Sequence, residues 1–452
     1  MGPGRASHES PLPCQRSLPA PARRARPETN RGEVRLNARF YVVLTVLTRV
    51  GGAGIAACSA VVLAHVVGKE GIGLFALLRA LPAVLVMLTE LGIASAAPYL
   101  INRRRFDAGD VLGNALVAGA VIGLFQIVLW IACHQLIGSH VLKGLPIEWV
   151  LVAALLAPIE VQMVEMQGIF RSLQRFWTAN LLRLGIETSL LVSLGIAAAF
   201  DALSVATLVP CLLLPSLFML TVSAVRLATL RLAPVWRMNF GLLRESIRFG
   251  IRAQASSALQ YLNFRLDHLI LGILTGPEVV GLYFVATRAA ELFRFLPSAV
   301  GFVITPRLAG RTFESAVRTV RRHALPIFLI NLAAMVVGAV VGPYLFPILF
   351  DDWSLEAIVP FWILLFGLTF MGANGAFSGF NDAQGIPELN AYSTLIGLII
   401  TIALDIALIP PFGQIGAAIA SCVSYAAIGS TLAFLFWRTA RSGPRASASQ
   451  FT

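Results

Sequence analysis

The chain has 452 residues, of which 57% are hydrophobic and only 13% are charged, and its mean hydropathy is +0.79. A water-soluble enzyme needs a far more polar surface, so this composition excludes one and places most of the chain in lipid. The formal net charge of +12 would also suit a nucleic-acid-binding protein. Basic loops beside apolar segments are typical of membrane topology, however, and we predict no nucleic-acid partner.

The first 36 residues are rich in Pro and Arg and lack the apolar stretch of a secretory signal. We interpret residues 1–36 as a disordered, basic cytoplasmic tail and residues 439–452 as a C-terminal cytoplasmic tail. Four of the five cysteines lie inside apolar segments without C-x-x-C spacing. We therefore predict no disulfide framework, metal site or cofactor.

Twelve apolar segments, each long enough to cross a bilayer, follow the N-terminal tail. They are predicted at residues 40–67, 72–100, 111–137, 148–170, 178–200, 203–226, 247–274, 281–305, 324–346, 358–379, 389–409 and 414–437. The first six form a predicted N-lobe (37–226) and the last six a predicted C-lobe (247–438). Residues 227–246 would be the cytoplasmic linker between the lobes.

Lysine and arginine are distributed unevenly between the loops. Of the 35 basic residues, 26 lie on the side that carries both termini, seven lie within spans, and only Lys69 and Lys143 lie in the opposite loops. We predict a multi-pass protein of a bacterial inner membrane, and the positive-inside rule places both of its termini in the cytoplasm. The opposite loops are too short for a catalytic domain, and no nucleotide-binding, zinc-protease or serine-hydrolase motif occurs in a usable context, so we predict that the protein is not an enzyme.

Two stretches of the chain, residues 66–100 and 273–308, resemble each other. At a displacement of 208, Gly68, Glu70, Gly73, Leu74 and Pro98 coincide with Gly276, Glu278, Gly281, Leu282 and Pro306. Gln174 and Asn180 coincide with Gln384 and Asn390 at a displacement of 210. A repeat of six spans enters the membrane in the same direction twice. The predicted fold is an all-α membrane protein with two pseudo-symmetric six-helix lobes around a central cavity.

Charged side chains within the spans form the candidate site, because an ionised group at the bilayer centre costs at least about 2.5–3.5 kcal/mol and is usually functional. The candidate residues of the transport cavity are Arg49, Arg79, Glu90, Arg265, Asp267, Arg288, Glu291 and Arg294. Arg288, Glu291 and Arg294 follow one another at three-residue spacing, so they share one face of a helix. Arginine suits a phosphate-bearing substrate, but a structural network of ion pairs is equally compatible with this pattern.

Several ordered motifs resemble a known family, the polysaccharide and O-antigen (Wzx-like) flippases of the multidrug/oligosaccharidyl-lipid/polysaccharide (MOP) exporter superfamily. They are VGKEGIGLFALL, TELGIASAAPYL, RLDHLILGILTGPEVVGLYFVATR, ITPRLAG and LIPPFGQIGAAIASCVSYA. The resemblance covers about residues 37–438. Within DHLILG, Asp267 matches the family's acidic position, whereas His268 replaces the Arg often found after it.

The resemblance implies a V-shaped, MATE-like bundle that flips a polyprenyl-diphosphate-linked oligosaccharide from the cytoplasmic to the periplasmic leaflet by alternating access. Such a protein serves cell-surface polysaccharide biosynthesis, such as that of lipopolysaccharide or exopolysaccharide. The expected partners are the lipid-linked oligosaccharide, membrane lipids and a polysaccharide polymerase complex. Replacing Arg288 or Arg294 by Ala is then expected to abolish export.

Three alternatives compete with this interpretation. A MATE-like drug/cation antiporter commonly has carboxylates in the first span, where this chain has Arg49 and no Asp or Glu. A flippase for lipid-linked peptidoglycan precursors usually has fourteen spans, and twelve are predicted here. A membrane glycosyltransferase or ligase would need a large periplasmic loop, for which the predicted topology leaves no room.

Overall fold

A computed structural model describes residues 38–230, 232, 234–308 and 312–443, with side chains throughout except at 38–46 and 294–307. The predicted N-terminal tail, residues 1–36, and most of the predicted C-terminal tail lie outside the described residues. All secondary structure within the described residues is helical.

Sixteen α-helices follow one another through the described residues. They are α1 (Ala38–Thr89), α2 (Ile93–Asn102), α3 (Ala108–Ala132), α4 (His134–Leu136), α5 (Ile147–Val152), α6 (Leu156–Ser172), α7 (Phe176–Ala199), α8 (Leu208–Thr229), α9 (Phe240–Asn263), α10 (Leu266–Leu274), α11 (Pro277–Leu308), α12 (Phe313–Phe350), α13 (Ile358–Phe370), α14 (Asn374–Ala383), α15 (Glu388–Phe412) and α16 (Gln414–Ser442). Short π and 3-10 turns precede α5, α6 and α13.

The helices account for the twelve predicted spans. Nine helical stretches of the described chain are long and apolar enough to cross a bilayer. One of them, α1, makes two passes because its backbone breaks at Gly68, whose φ of 64° and ψ of −165° are open to glycine but strained for other residues. Helices α9 and α10 together form one of the remaining two passes, and α11 forms the other. The predicted all-α, MOP-like fold is confirmed.

We keep the names N-lobe for α1–α8 and C-lobe for α9–α16, after the predicted division of the chain, and repeated residues occupy similar places in the two sets of helices. Gln174 lies in the short turn between α6 and α7, and Gln384 lies in the turn between α14 and α15. Gly73 on the second arm of α1 (residues 69–89) packs against Gly281 on α11, so close that a Cβ at either glycine would overlap the other helix. The two copies of the repeat therefore meet at the boundary between the lobes.

Two names distinguish the ends of this boundary. The lysine end contains the Gly68 break, Lys69, Lys143 and the turn between α10 and α11. The arginine end contains the turn with Arg103, Arg104 and Arg105 and the connection between α8 and α9. That connection is shorter than the predicted linker 227–246, because α8 continues to Thr229 and α9 begins at Phe240, where Asn239 caps it by accepting a hydrogen bond from the Leu242 amide at 3.1 Å.

Candidate functional site

The N-lobe contributes one arginine to the middle of the boundary between the lobes. Arg79, on the second arm of α1, forms a bidentate ion pair with Glu187 of α7. Its two terminal nitrogens donate to the two carboxylate oxygens at 2.8 and 3.2 Å. Glu160 of α6 also lies near enough to interact electrostatically with Arg79. The planar guanidinium is thus held in one orientation.

The C-lobe contributes two arginines that share one carboxylate. Arg288 donates to Glu291 at 3.0 Å, three residues further along α11. Arg265, at the junction of α9 and α10, lies 3.5 Å from the other oxygen of Glu291. Both guanidinium groups thus share one carboxylate, while Asp267 also acts electrostatically on Arg265 and Glu187 on Arg288.

These five residues form what we call the arginine cluster: Arg79, Glu187, Arg265, Arg288 and Glu291. Arg79 interacts electrostatically with Arg265 and Arg288 across the boundary, and Arg288 interacts with Glu187. Their side chains keep between 17% and 29% of their surface exposed. The side chains of the cluster are therefore only partly buried.

A phenylalanine precedes each of two arginines by four residues, once in each half. The Arg79 guanidinium lies 5.8 Å from the centre of the Phe75 ring, and that of Arg288 lies 4.9 Å from the Phe284 ring. The two rings meet edge to face across the boundary, with their centres 6.2 Å apart. The same short pattern, F-x-x-x-R, thus places an aromatic contact and a guanidinium on both facing surfaces.

Asp267 lies inside the C-lobe and not on the surface of the arginine cluster. It is 1% exposed and its carboxylate contacts the His268 imidazole at 2.7 Å. The Tyr283 hydroxyl donates to it at 2.7 Å and the Ser421 hydroxyl at 3.3 Å. A small pocket that both Asp267 and Glu291 line connects this interior group to the cluster.

The remaining candidate residues occupy three different places. Glu90 is 1% exposed and lies in the break between α1 and α2. Arg49 is exposed on the first arm of α1 and interacts electrostatically with Arg183 of α7. Arg294 follows Arg288 and Glu291 on α11, but its side chain lies outside the described residues.

The lysine end is closed by polar contacts between the lobes around the Gly73–Gly281 contact. Lys69 forms an ion pair with Glu278. His65 Nε2 lies 3.3 Å from Asp351. The Lys143 ammonium donates to the carbonyl oxygens of Ile273 and Thr275 at 3.1 and 3.4 Å, where α10 ends. We call this set of contacts the lysine-end closure.

The arginine end is closed mainly by packing of α2 against α9. Gly92 and Gly250 lie so close that a Cβ on either would overlap the backbone of the other. The rings of Tyr99 and Phe249 stack in parallel, with centres 4.0 Å apart. Two polar contacts flank these: Ser95 donates to Gln254 at 3.1 Å, and Arg104 pairs with Glu245 at 2.7 Å. We call this set the arginine-end closure.

The site also contains residues that the sequence analysis did not select. Phe75 and Phe284 could have been found from the repeated F-x-x-x-R pattern. Glu187 could not have been chosen among the acidic residues of the spans, because it is 108 positions away from its partner Arg79 and nothing local connects the two. Tyr283 carries no charge and shows no signal in the sequence.

Comparison with known families agrees with this architecture. The model of a family described as polysaccharide biosynthesis protein matches residues 62–358, about two thirds of the chain. The chain belongs to this family. It is thus a multi-pass membrane protein with a MOP-like fold, and its family's role is in polysaccharide biosynthesis.

Two curated relatives match parts of the chain. An uncharacterized membrane protein of Methanocaldococcus jannaschii is 29% identical over 193 residues, covering 41% of this chain and 37% of the relative. AglR of Haloferax volcanii, named a probable flippase, is 28% identical over 187 residues, covering 37% and 36%. The matched region thus spans little more than a third of either relative.

Two solved structures share the fold over most of their length. The lipid II flippase MurJ, in an inward closed conformation, superposes with a TM-score of 0.70 at 13% identity and covers 88% of each chain. An inward-facing multidrug resistance MATE transporter of the MOP superfamily superposes with a TM-score of 0.63 at 18% identity, covering 92% of this chain and 97% of the transporter. At such identities the likeness establishes the fold alone.

Proposed function

We propose that this protein flips a polyprenyl-diphosphate-linked oligosaccharide from the cytoplasmic to the periplasmic leaflet of a bacterial inner membrane by alternating access. Both termini are then cytoplasmic, the arginine end faces the cytoplasm and the lysine end faces the periplasm. The distribution of 26 basic residues on one side and two on the other supports this orientation. A polysaccharide polymerase complex would receive the product.

The observation that carries the proposal is the sharing of Glu291 by Arg265 and Arg288, opposite Arg79 of the other lobe. A diphosphate offers several oxygens with delocalised negative charge, which the planar fork of arginine binds in pairs. It would bind among three guanidinium groups, two of which share a single carboxylate. Desolvation of these arginines, which is costly without a partner, is offset in the complex.

The two closures support alternating access between these leaflets. They lie at opposite ends of the same boundary, and the arginine cluster lies between them. Opening the arginine-end closure would admit a headgroup from the cytoplasmic leaflet, and opening the lysine-end closure would release it. The lobes need only rock about the cluster for this, as parallel repeats permit.

The test is movement of a fluorescent prenyl-diphosphate oligosaccharide between leaflets of vesicles that contain the purified protein. Arg288→Ala is expected to lower the flipping rate at least about tenfold, since a charge-assisted hydrogen bond contributes roughly 1.5–3 kcal/mol. Arg288→Lys keeps the charge but loses the planar fork, so its flipping rate is expected to lie between those of the parent and Arg288→Ala. Arg252→Ala, which removes an exposed arginine of α9, is the matched control and keeps the rate.

Two outcomes would contradict the proposal. One is an unchanged rate in Arg288→Ala. The other is equal flipping of a prenyl-linked sugar that lacks the diphosphate, because the cluster would then have no role in recognition. Faster flipping of a peptidoglycan precursor than of other diphosphate-linked glycans would favour the second candidate function, which the MurJ-like fold supports.

A further inference from the structure

A buried carboxylate caps the helix that follows the break in the second pass. Helix α1 ends at Thr89, α2 begins at Ile93, and Leu91 and Gly92 between them adopt φ angles of 55° and 77°. The Glu90 carboxylate accepts hydrogen bonds from the Gly92 amide at 3.0 Å and from the Ala94 amide at 2.6 Å. These amides begin α2, where the helix dipole is positive, so a negative charge on Glu90 is stabilised.

A second buried carboxylate, Glu165 of α6, lies beside this break. It is 1% exposed, and neither of its oxygens has a hydrogen-bond partner among the described residues. It lies close enough to Glu90 to interact with it electrostatically. Helix α6 packs tightly on α2 here, because a Cβ at Gly168 would lie 2.7 Å from the carbonyl oxygen of Ala94.

Few other charged groups act on this pair. Arg171, further along α6, interacts with both carboxylates, and Arg183 of α7 acts on Arg171. The sequence of α2 contains no charged residue, α3 has only Asp110 in its first turn, and α8 has only Arg226 in its last turn. The helices packed here also carry Arg79 on α1, Glu160 on α6, Glu187 on α7, and Arg244, Glu245, Arg248 and Arg252 on α9.

Such a pair does not hold two negative charges at low cost. A buried ion without hydrogen bonds costs several kcal/mol, and two carboxylates in one dry site repel each other. Glu90 has two amide donors for its charge and Glu165 has none. Of the two carboxyl groups, Glu165 therefore gains more from binding a proton.

We propose that Glu165 is a proton-binding site whose occupancy controls the arginine-end closure, an inference that rests on the proposed function. When Glu165 loses its proton, its carboxylate and that of Glu90 repel each other. This repulsion changes the backbone conformation at the break and therefore the position of α2. Gly92, Ser95 and Tyr99 all lie at or after the break and make the contacts with α9. Loss of the proton thus loosens the closure toward the cytoplasm.

The geometry also indicates where the proton is exchanged. Glu165 lies seven residues before the end of α6 at Ser172, roughly 10 Å along the helix from the arginine end. The nearest aqueous phase is therefore the cytoplasm. A cytoplasmic proton would favour a closed arginine end, and its release would favour an open one.

The test uses spin labels on cysteines at Arg103 and Arg248, two exposed positions of the arginine end, in full-length protein reconstituted in vesicles, with the native cysteines replaced by Ala. Between about pH 6 and pH 9, the distance between the labels is expected to lengthen in the parent protein. In Glu165→Gln, which mimics the protonated acid, it is expected to stay short at every pH. A lengthening of equal size in both proteins, or in neither, would overturn the proposal.

Further variants keep the test decisive. Glu148→Gln, an exposed position on the same pass, is the matched control and keeps the parent response. Glu90→Gln removes the repelling charge, so the transition is expected at lower pH or to vanish. If Glu165→Gln does not insert, Glu165→Asp retains the transition with a shifted midpoint, and the infrared band of a protonated buried carboxyl must disappear over the same pH range as the distance lengthens. An infrared band that is independent of the distance overturns the proposal.

These measurements need no lipid-linked sugar. A pH-independent distance together with normal flipping would overturn the proton site alone. A normal pH response in a protein that does not flip diphosphate-linked glycans would overturn the proposed function alone.

Discussion

The lysine-end and arginine-end closures join the same two lobes by different forces. Both contain one glycine pair in backbone contact, Gly73 with Gly281 and Gly92 with Gly250. Around its pair, the lysine end has exposed charges on both lobes, whereas the arginine end has a stacked aromatic pair on α2 and α9. Exposed ion pairs are weak and screened by salt, and aromatic packing is not. The two ends of the boundary are therefore expected to respond to different conditions.

The largest effect is expected from a methyl group at the lysine-end glycine. Gly73→Ala forces a Cβ onto the carbonyl oxygen of Pro277, and overpacking of this kind costs about 1–3 kcal/mol. The closed lysine end should then be about 5- to 150-fold less populated. The measurement is the rate at which an impermeant maleimide, added on the side of the lysine end, labels a cysteine at Phe284, a residue of the lobe boundary that is 4% exposed.

Gly54→Ala is the control for this change, because a Cβ at Gly54 has no other atom within 4 Å. Equal labelling rates in Gly73→Ala and the parent would show that the glycine contact does not hold this end closed.

A smaller effect is expected from removing the aromatic stack. Tyr99→Ala loses a ring contact that contributes about 0.5–1.5 kcal/mol beyond its buried area. The open arginine end should become about two- to twelvefold more populated, while labelling at the lysine end stays constant. Spin-label distances at this end provide the measurement, and Tyr344→Ala, which truncates a tyrosine that is 72% exposed, is the control.

The smallest effect is expected from the ion pair at the lysine end. Lys69→Glu opposes two negative charges, and because both side chains are largely exposed the pair contributes only about 0.2–1 kcal/mol. Labelling at the lysine end should rise by less than about fivefold, and Glu278→Lys in the same chain should reverse the change. High salt should remove the difference in labelling rate between Lys69→Glu and the parent. A difference that persists in high salt would exclude an electrostatic origin.

The pH dependence of this pair also separates the two ends. Its hydrogen bond to Glu278 raises the pKa of Lys69, which lies between two passes. The ion pair therefore stabilises the closure fully at any pH below the ordinary pKa of lysine. This stabilisation is lost only as the pH rises through the raised pKa of Lys69. Between about pH 6 and pH 9, lysine-end labelling in a His65→Asn background should therefore be constant, whereas the arginine end should open. A change at the lysine end over this range would contradict this assignment.

Much of the fold could be predicted from the sequence, because span length and loop charge depend on local composition. The repeat also predicted that Gly73 and Gly281 occupy equivalent positions. Which side chains meet could not be predicted in the same way. Asp267 and Arg265 are two residues apart at nearly the same depth, yet Asp267 lies inside the C-lobe while Arg265 borders the boundary. Depth follows from counting residues, but the direction of a side chain depends on how neighbouring helices pack.

The same limit explains Glu90 and Glu187. A charged residue within a span predicts a cavity or an ion pair, and the sequence analysis left both open for the arginines. The structure shows that the arginines of the cluster are ion-paired and partly exposed. Glu90 serves a different purpose, since its hydrogen bonds to the start of α2 depend on a helix break that hydropathy does not reveal.

The repeated F-x-x-x-R pattern has a consequence for how a headgroup would leave the protein. Arg79 and Arg288 lie in different halves and within electrostatic range of each other, so any tilt of one half relative to the other changes the gap between their guanidinium groups. A dianion that both guanidinium groups bind at one separation cannot be bound equally well at another. Release of the substrate into the far leaflet would then require only a change in the distance between the two guanidinium groups. Neither arginine would have to be neutralised.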